Sequence, residues 1–298
     1  MKSLTVFTPA FNRAHLLSRI YNSLKKQTCD DYLWLIVDDG SSDHTNEVVA
    51  EFIKENKVEI LYLFQENQGM HGAHNTAYEK ITTPLNTCID SDDFMPVDAV
   101  EKILKKWRAV EHQEKFSGIV GLDADLKGNV IGSKFLSETT TLEDFYLSGG
   151  TGDKKLVYRT EVMRKYPSYP LFPGEKYVGL GYKYLLADQD YELITLNEIL
   201  VQVDYQEGGS SNNMFRQYYN NPRGFAFLRK QGMVLSKSNI KKFKDAIHYV
   251  SCSFLSKNYT FIAESPRKVL TILALPFGIA LFLVVQYKNR IDHHGNEL

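Results

Sequence analysis

Apolar positions in the first hundred residues follow two alternating patterns. Leu4 to Thr8 is a short apolar run of strand type. Leu16, Leu17, Ile20 and Leu24 then recur at helical spacing. Leu33 to Val37 reads as a second strand, closed by Asp38-Asp39-Gly40. Ser42 or Asp43 can cap a helix carrying Val48, Val49, Phe52 and Ile53. Glu59 to Phe64 reads as a third strand, Gly72 to Ile81 as a helix and Asn86 to Ile89 as a fourth strand. Val100, Ile103, Leu104 and Trp107 mark the next helix. Such alternation predicts an α/β fold with a mostly parallel central sheet flanked by helices. Ligands of these sheets bind beyond the carboxyl ends of the strands, where Pro9, Asp38, Asp39 and Asp90 all fall.

Residues 118 to 205 are less regular. Ile119 to Leu122 and Val130 to Gly132 read as a hairpin around the turn Leu126-Lys127-Gly128-Asn129. Gly149-Gly150 marks another turn, and Pro167, Pro170 and Pro173 break up the next segment. From Ile240 the pattern is helical again, with Phe243, Ile247, Val250 and Phe254 following at steps of three and four. Lys241, Lys242, Lys244 and His248 occupy the other faces. That pattern suits a helix packed on the main domain or a basic amphipathic surface helix.

The 19 residues from Val269 to Tyr287 carry no charge, with Arg267 and Lys268 before them and Lys288 and Arg290 after. A helix of that length would reach ~28 Å, about one hydrocarbon core. Segment 269-287 is therefore expected to associate with a membrane, the alternative being a buried helix of a soluble protein. Pro276 and Gly278 in its middle, and basic residues on both flanks, favour a shallow or kinked insertion over a straight span.

Composition narrows the classes. The 298 residues suffice for one large domain with an appendage. A net charge of −1 gives no basic face, so no nucleic acid partner is expected. Cys29, Cys88 and Cys252 are too few and too scattered for a disulfide framework or a zinc site, which fits a reducing cytoplasm. No sustained apolar stretch opens the chain, so no secretory signal is expected.

The chemistry concentrates in Thr87-Cys88-Ile89-Asp90-Ser91-Asp92-Asp93, where an apolar run ends in three carboxylates. Like charges this close repel and call for a cation. Oxygen ligands at a strand end suit Mg²⁺ or Mn²⁺, with phosphate oxygens and water completing the shell. The same spacing recurs at Asp123-Ala-Asp125, explained by a solvated hairpin, and at Asp188-Gln-Asp190, which follows no such strand.

Thr8-Pro9-Ala10-Phe11-Asn12-Arg13, Val37-Asp38-Asp39-Gly40-Ser41-Ser42-Asp43, Asn67-Gln68-Gly69 with Ala73 and Asn75, and Ile89-Asp90-Ser91-Asp92-Asp93 together resemble the family 2 glycosyltransferases in order and spacing. Gly174-Glu175-Lys176-Tyr177 resembles an acidic segment of related bacterial polysaccharide enzymes, such as those that build capsules. The resemblance implies an A-type glycosyltransferase fold, a sugar-nucleotide donor and inversion at the anomeric centre. Pro9 and Phe11 would line the nucleobase pocket, with Asn12 and Arg13 nearby. Asp39 would accept a hydrogen bond from the base, typically uracil, and Asp38 would support the loop. Asn67, Gly69 and Asn75 would lie at the donor. Asp90 and Ser91 would contact the ribose or metal shell, and Asp90 and Asp92 would hold Mn²⁺ or Mg²⁺. His71 and His74 sit where the family approaches the donor, though a plain structural role suits each of them too.

On this reading residues 1-107 form the nucleotide-sugar-binding half and residues 108-225 the acceptor-binding half of one domain. Residues 226-298 form a helical extension. An inverting transfer needs a general base from the acceptor side. Glu175, after the rigid Phe172-Pro173-Gly174 turn, is the first candidate, ahead of Asp190 and Asp153. Tyr205-Gln206-Glu207-Gly208-Gly209-Ser210-Ser211 could close on a diphosphate through backbone N–H groups, with Arg216 and Arg223 beyond it. The expected function is metal-dependent transfer of a sugar to a polysaccharide or lipid-linked acceptor, at the cytoplasmic face of the cell membrane. The alternatives are a nucleotidyltransferase and a non-catalytic sugar-nucleotide-binding membrane protein. Donor sugar, linkage and oligomeric state are not written in these motifs.

Overall fold

The computed structural model describes residues 2–204 and 214–295, with side chains as far as 290. The loop of Tyr205 to Ser211 therefore lies outside the described residues. In chain order the elements begin with β1 (Leu4–Ala10), α1 (Ala14–Leu24), β2 (Tyr32–Asp38), α2 (Thr45–Glu55), β3 (Ile60–Phe64), α3 (Met70–Lys80), β4 (Leu85–Cys88) and α4 (Ala99–Arg108). They continue with β5 (Phe116–Ala124), β6 (Thr139–Thr140), α5 (Leu142–Leu147), β7 (Lys154–Arg159), α6 (Thr160–Lys165), α7 (Gly181–Asp190) and β8 (Glu192–Gln202). The last five helices are α8 (Met214–Asn220), α9 (Pro222–Leu235), α10 (Asn239–Leu255), α11 (Phe261–Glu264) and α12 (Lys268–Gly295). The chain divides into a sheet unit, residues 1–168 and 187–206, and a helical unit, residues 169–186 and 207–298.

In the sheet unit eight strands run in the order β3-β2-β1-β4-β7-β5-β8-β6. Strands β1 to β4 pair in parallel, as does β5 with β8. The exceptions are β7, antiparallel between β4 and β5, and β6 at the edge. One continuous sheet thus takes strands from both expected halves, 1-107 and 108-225. Leu4, Val6 and Ala10 of β1 join Leu17, Ile20, Trp34 and Ile36 in the main core. On the opposite face Phe7 meets the ring edges of His74 and Tyr78 at 5.0 and 5.7 Å. Helix α4 buries Val100, Ile103, Leu104 and Trp107, the spacing read from the sequence. Its lysines stay off that stripe, as an amphipathic surface helix requires.

The expected hairpin after β5 is reduced to one bridge, Ala124 with Val130. Asp125 makes the turn, its Oδ1 accepting from the amides of Lys127 and Asn129 at 2.9 and 2.8 Å. Asp123 does not share that solvated setting, because its side chain is buried.

In the helical unit α10 packs against both α9 and α12. Buried Asp245 on α10 accepts from Arg229 Nη1 at 2.8 Å and Lys241 Nζ at 3.1 Å. Helix α12 runs unbroken through Pro276. Gly278 lets it approach α10, since a Cβ there would lie 2.4 Å from Val250 Cβ. The segment Lys268–Arg290 is long and apolar enough to cross a membrane. One side of it is covered, at Thr271, Ala274 and Val285, while Val269, Ile272, Leu273, Phe277, Leu283 and Tyr287 are exposed.

Candidate donor-binding site

Two loops at the carboxyl ends of β1 and β2 are stapled together. Asn12 adopts a left-handed backbone, φ 53°. Its amide donates to Ser41 Oγ at 2.8 Å, and its Oδ1 accepts from the Ser42 amide at 2.8 Å and the Asp43 amide at 3.3 Å. Asp43 in turn accepts from the amides of Ala14 and Thr45. Burial opposes the Asp43 charge, but these hydrogen bonds outweigh it and hold its carboxyl below the usual range. Asn12 therefore builds the pocket wall. Pro9 is the last but one residue of β1, Arg13 caps α1, and Phe11 stands 47% exposed between them, an aromatic face open to a planar ligand.

Asp38 and Asp39 are buried. Asp38 accepts from the Ser41 amide at 2.8 Å and from Tyr62 Oη at 2.5 Å. Asp39 accepts from Gln65 Nε2 at 2.7 Å and from the amides of Gln68 and Gly69 at 2.9 and 2.7 Å. These bonds hold the Gln65 to Gly69 loop, including Asn67, against the end of β2. Gly40 has φ +83°, and a Cβ there would meet the Asn67 amide nitrogen at 2.9 Å. Gly69, φ 81°, turns the loop into α3, on which Asn75 is half-buried. His71 and His74 are buried in the same helix. His74 Nδ1 lies 2.9 Å from Met70 O, and its ring packs on Phe7 and Tyr78, a core setting.

The carboxylate motif forms a tight turn beyond β4, with the Asp93 amide donating to Asp90 O at 3.0 Å. Asp90 is exposed, Ser91 and Asp93 are buried and Asp92 is intermediate. Strand β8 pins the turn from the side. Phe94 and Gln202 exchange backbone hydrogen bonds of 3.1 and 2.8 Å, and the Asp204 amide donates to Asp93 Oδ1 at 3.2 Å. Arg19 of α1 pairs with Asp204 and lies 5.3 Å over the Phe94 ring.

Burial and then the like charge of Asp90 raise the Asp92 carboxyl, with Arg13 pulling the other way. Burial pushes Asp93 up to about 7 against the pull of Lys155, and Asp90 and Asp92 add to the rise. Lys155 of β7 is the resident counter-charge. Its Nζ donates to Cys88 O at 2.9 Å. Burial opposes its charge, but Asp123, Asp90 and Asp93 hold its pKa above the ordinary lysine value. The buried Asp123 Oδ1 has no hydrogen-bond partner among the described residues, and burial raises that carboxyl too.

Lys155 and Asp123 escaped the sequence reading. The signal for Asp123 was its place at the end of a buried strand, where a solvated hairpin is not the only outcome. Among the described residues no three His, Cys, Asp or Glu side chains converge on a metal-sized point. Exposed Asp90 and half-buried Asp92 fit a divalent ion whose other ligands are phosphate oxygens and water, since both crowd negative charge at an open edge.

Glu175 belongs to the helical unit. Its Oε1 accepts from the Arg223 amide at 3.0 Å and Arg223 Nε at 2.9 Å, and its Oε2 from the Gly224 amide at 2.8 Å. The carboxylate thus holds the first turn of α9, where helix amides favour negative charge. Glu175 is not a solvated loop carboxylate: it is buried and pairs with Arg223. Asp190 is engaged by Lys165 Nζ and Tyr166 Oη, both at 2.8 Å. Asp153 is exposed in the loop before β7, and Asp188 accepts from the amides opening α5.

Residues 5–126 match the family model described as Glycosyl transferase family 2, which covers β1 to β5 and the loops of Asn12, Asp38, Asp39, Asn67 and Asp90, but not Asp153, Lys155, Glu175 or β8. The likeness to that family is carried by this domain. Over 110 residues it is 36% identical to Glycosyltransferase GlyA of Streptococcus pneumoniae, covering 37% of this chain and 15% of that protein. It spans a third or less of the length of this and the other curated relatives it matches over the same region.

Over 98% of its length it is 24% identical to the GalNAc(5)-diNAcBac-PP-undecaprenol beta-1,3-glucosyltransferase of Campylobacter jejuni, covering 96% of that protein. The crystal structure of S. aureus TarS 1-349 in complex with UDP-GlcNAc superposes with a TM-score of 0.65 at 17% identity, covering 98% of this chain and 92% of that one. At that identity the likeness shows the fold, which is of the A-type glycosyltransferase kind implied by the resemblance.

Proposed function

We propose that this protein is a metal-dependent inverting glycosyltransferase that moves a sugar from a UDP-sugar to a lipid-linked oligosaccharide or polysaccharide acceptor. The observation that carries the reading is the Asp90-Ser91-Asp92 turn, held rigid by β8 beside the Asn12, Asp38 and Asp39 loops. A nucleoside diphosphate matches this layout. Phe11 and Pro9 offer a face to the base, while the loop fixed by Asp39 shapes the pocket around it. Asp90 and Asp92 would hold Mn²⁺ or Mg²⁺, which supplies Lewis-acid stabilisation of the departing diphosphate when bound. Arg13, whose charge already acts on Asp92, adds positive potential at the same edge.

Glu175 is assigned the acceptor proton. The hydroxyl O–H breaks toward its carboxylate as the oxygen attacks the anomeric carbon, and the bond from that carbon to the diphosphate oxygen breaks on the far face. Arg223 and Gly224 fix the orientation of that carboxylate. The TarS complex with UDP-GlcNAc supports a uridine donor, and the Campylobacter enzyme's undecaprenol-linked substrate supports a lipid-linked acceptor. The exposed apolar side of α12 supports association with a membrane, and the cytoplasmic face is our assignment. A donor-hydrolysis screen over UDP-, GDP- and dTDP-sugars, each with Mg²⁺, Mn²⁺ or chelator, tests the reading. Turnover that survives exhaustive chelation sinks the metal assignment, and no turnover of any UDP-sugar sinks the donor.

A further inference from the structure

Where α12 begins, the helical unit contains a cavity of about 600 Å³, within the usual size range of small-molecule sites. Three cations line it: Lys242 from α10, Arg267 ahead of α12, and Lys268 at its first residue. The rest of the wall is largely apolar, with Pro266, Val269, Leu270 and Leu273 beside Asn239 and Ser265, and among the described residues no Asp or Glu lines it.

Neutral groups hold Arg267. The Arg267 amide donates to Ser265 Oγ at 3.1 Å and its Nε to Met233 O at 3.3 Å. Among the described residues none of the three forms an ion pair. The acids nearest in sequence are engaged elsewhere: Asp245 by Arg229 and Lys241, and Glu264 by Thr260 and Asn258.

The apolar wall does not stop at the cavity. Val269 and Leu273 open the exposed stripe that continues through Phe277 and Leu283 to Tyr287, with exposures from 56% to 73%. Eighteen helical steps, from Val269 to Tyr287, carry it ~27 Å. A cationic pocket at one end of a long apolar stripe matches an amphiphile with an anionic head and hydrocarbon tail. A soluble anion would leave the stripe in water, and a plain apolar partner would leave three cations unanswered.

We propose that this cavity seats the phosphate of an anionic membrane phospholipid, whose acyl chains lie along the exposed side of α12. The proposal deepens the membrane association put forward above and rests on it. It assigns that association a headgroup preference and three residues, Lys242, Arg267 and Lys268.

Co-sedimentation of the full chain with vesicles tests it. The probes are phosphatidylcholine vesicles alone, and the same vesicles doped with phosphatidylglycerol or with a polyprenyl diphosphate. The wild type should bind phosphatidylglycerol vesicles more tightly than phosphatidylcholine ones. The triple variant Lys242→Gln, Arg267→Gln, Lys268→Gln should lose on the order of 100-fold of that affinity, at about five-fold per cation near an anionic surface, and keep its binding to phosphatidylcholine.

A charge-matched control, Lys54→Gln, Lys57→Gln, Lys127→Gln, should bind as the wild type, and equal melting curves would show that all the variants fold. Equal wild-type binding to both phospholipids overturns the phosphate site while leaving membrane association standing. So does a triple variant that binds phosphatidylglycerol normally, or a control that loses as much. A gain with polyprenyl diphosphate only reassigns the cavity to a lipid-linked substrate and overturns the phospholipid. No binding to any vesicle overturns both this site and the membrane reading beneath it.

Discussion

Glu175→Gln separates two duties that one carboxylate carries. The substitution keeps the shape and removes the charge. In the wild type Oε1 serves the Arg223 amide and Nε, and Oε2 serves the Gly224 amide. A glutamine has one carbonyl oxygen. If that oxygen keeps Arg223, its NH₂ faces the buried Gly224 N–H, and an unsatisfied buried donor costs about 1–3 kcal/mol. Losing the charge weakens the remaining bonds by about 1 kcal/mol, and the interaction with the start of α9 adds a few tenths to 1 kcal/mol. Arg223 is 45% exposed, so water screens its share and the total stays at roughly 2–4 kcal/mol. For a chain of this size that is roughly 5–10 °C in the melting of the helical unit.

Proton transfer sets a different signature. Sugar transfer measured well below the lowered Tm should fall by roughly 10²-fold or more, while donor affinity and the donor-protected Tm increment stay unchanged. Calorimetry, donor titration and product assay on one preparation distinguish the cases. An unchanged Tm refutes the anchoring arithmetic. Donor affinity that collapses with the rate refutes the base assignment and leaves Glu175 as an anchor of α9.

Three further outcomes are expected. Asp92→Asn should abolish transfer without lowering Tm, because it removes a ligand charge and also relieves repulsion with Asp90; wild-type-like turnover would remove Asp92 from the site. His248, in α10, has its pKa lowered to about 4 by burial and then by Arg229, with Asp245 opposing. The unfolded chain thus binds the extra proton first as pH falls, and stability should drop by about 3 kcal/mol between pH 6.5 and 4. His248→Phe should flatten that slope in melts across the window, and an unchanged slope would rule the imidazole out as its source. Truncation before Arg267 should uncover Ala246 and Val250 and leave the helical unit loosely packed, seen as dye binding and loss of near-ultraviolet dichroism. A truncated chain with a sharp wild-type-like melt would contradict the packing role of α12.

Strands and helices of the first hundred residues were legible because their apolar periods are clean and each strand ends in a loop-forming residue. Strand β7 was not. It opens with Lys154-Lys155, and a strand starting on two charges looks like surface until Lys155 is seen to answer Asp90, Asp93 and Asp123. The run of β8 was hidden by Asn197 and Glu198, two adjacent polar residues within it. Site residues were legible as positions and less so as duties. Asn12, Asp38 and Asp39 spend their hydrogen bonds shaping loops, which no one-dimensional pattern could distinguish from binding a base. Pro276 argued for an interruption, yet it sits on the exposed side of α12 and the helix continues past it.

The bond from the Asp204 amide to Asp93 spans 111 residues of chain. Together with the Phe94 and Gln202 bridge it has a consequence during synthesis. The carboxylate turn leaves the ribosome early, but the strand that pins it arrives last of the sheet. At about 5–20 residues per second the turn would wait roughly 5–20 s for β8. Meanwhile β5 presents an unpaired edge and β6 has no partner, in a long-range, slow-forming topology. A nascent chain halted near residue 190 should thus hold the nucleotide motifs in sequence but not in register, and should be the species that chaperones capture.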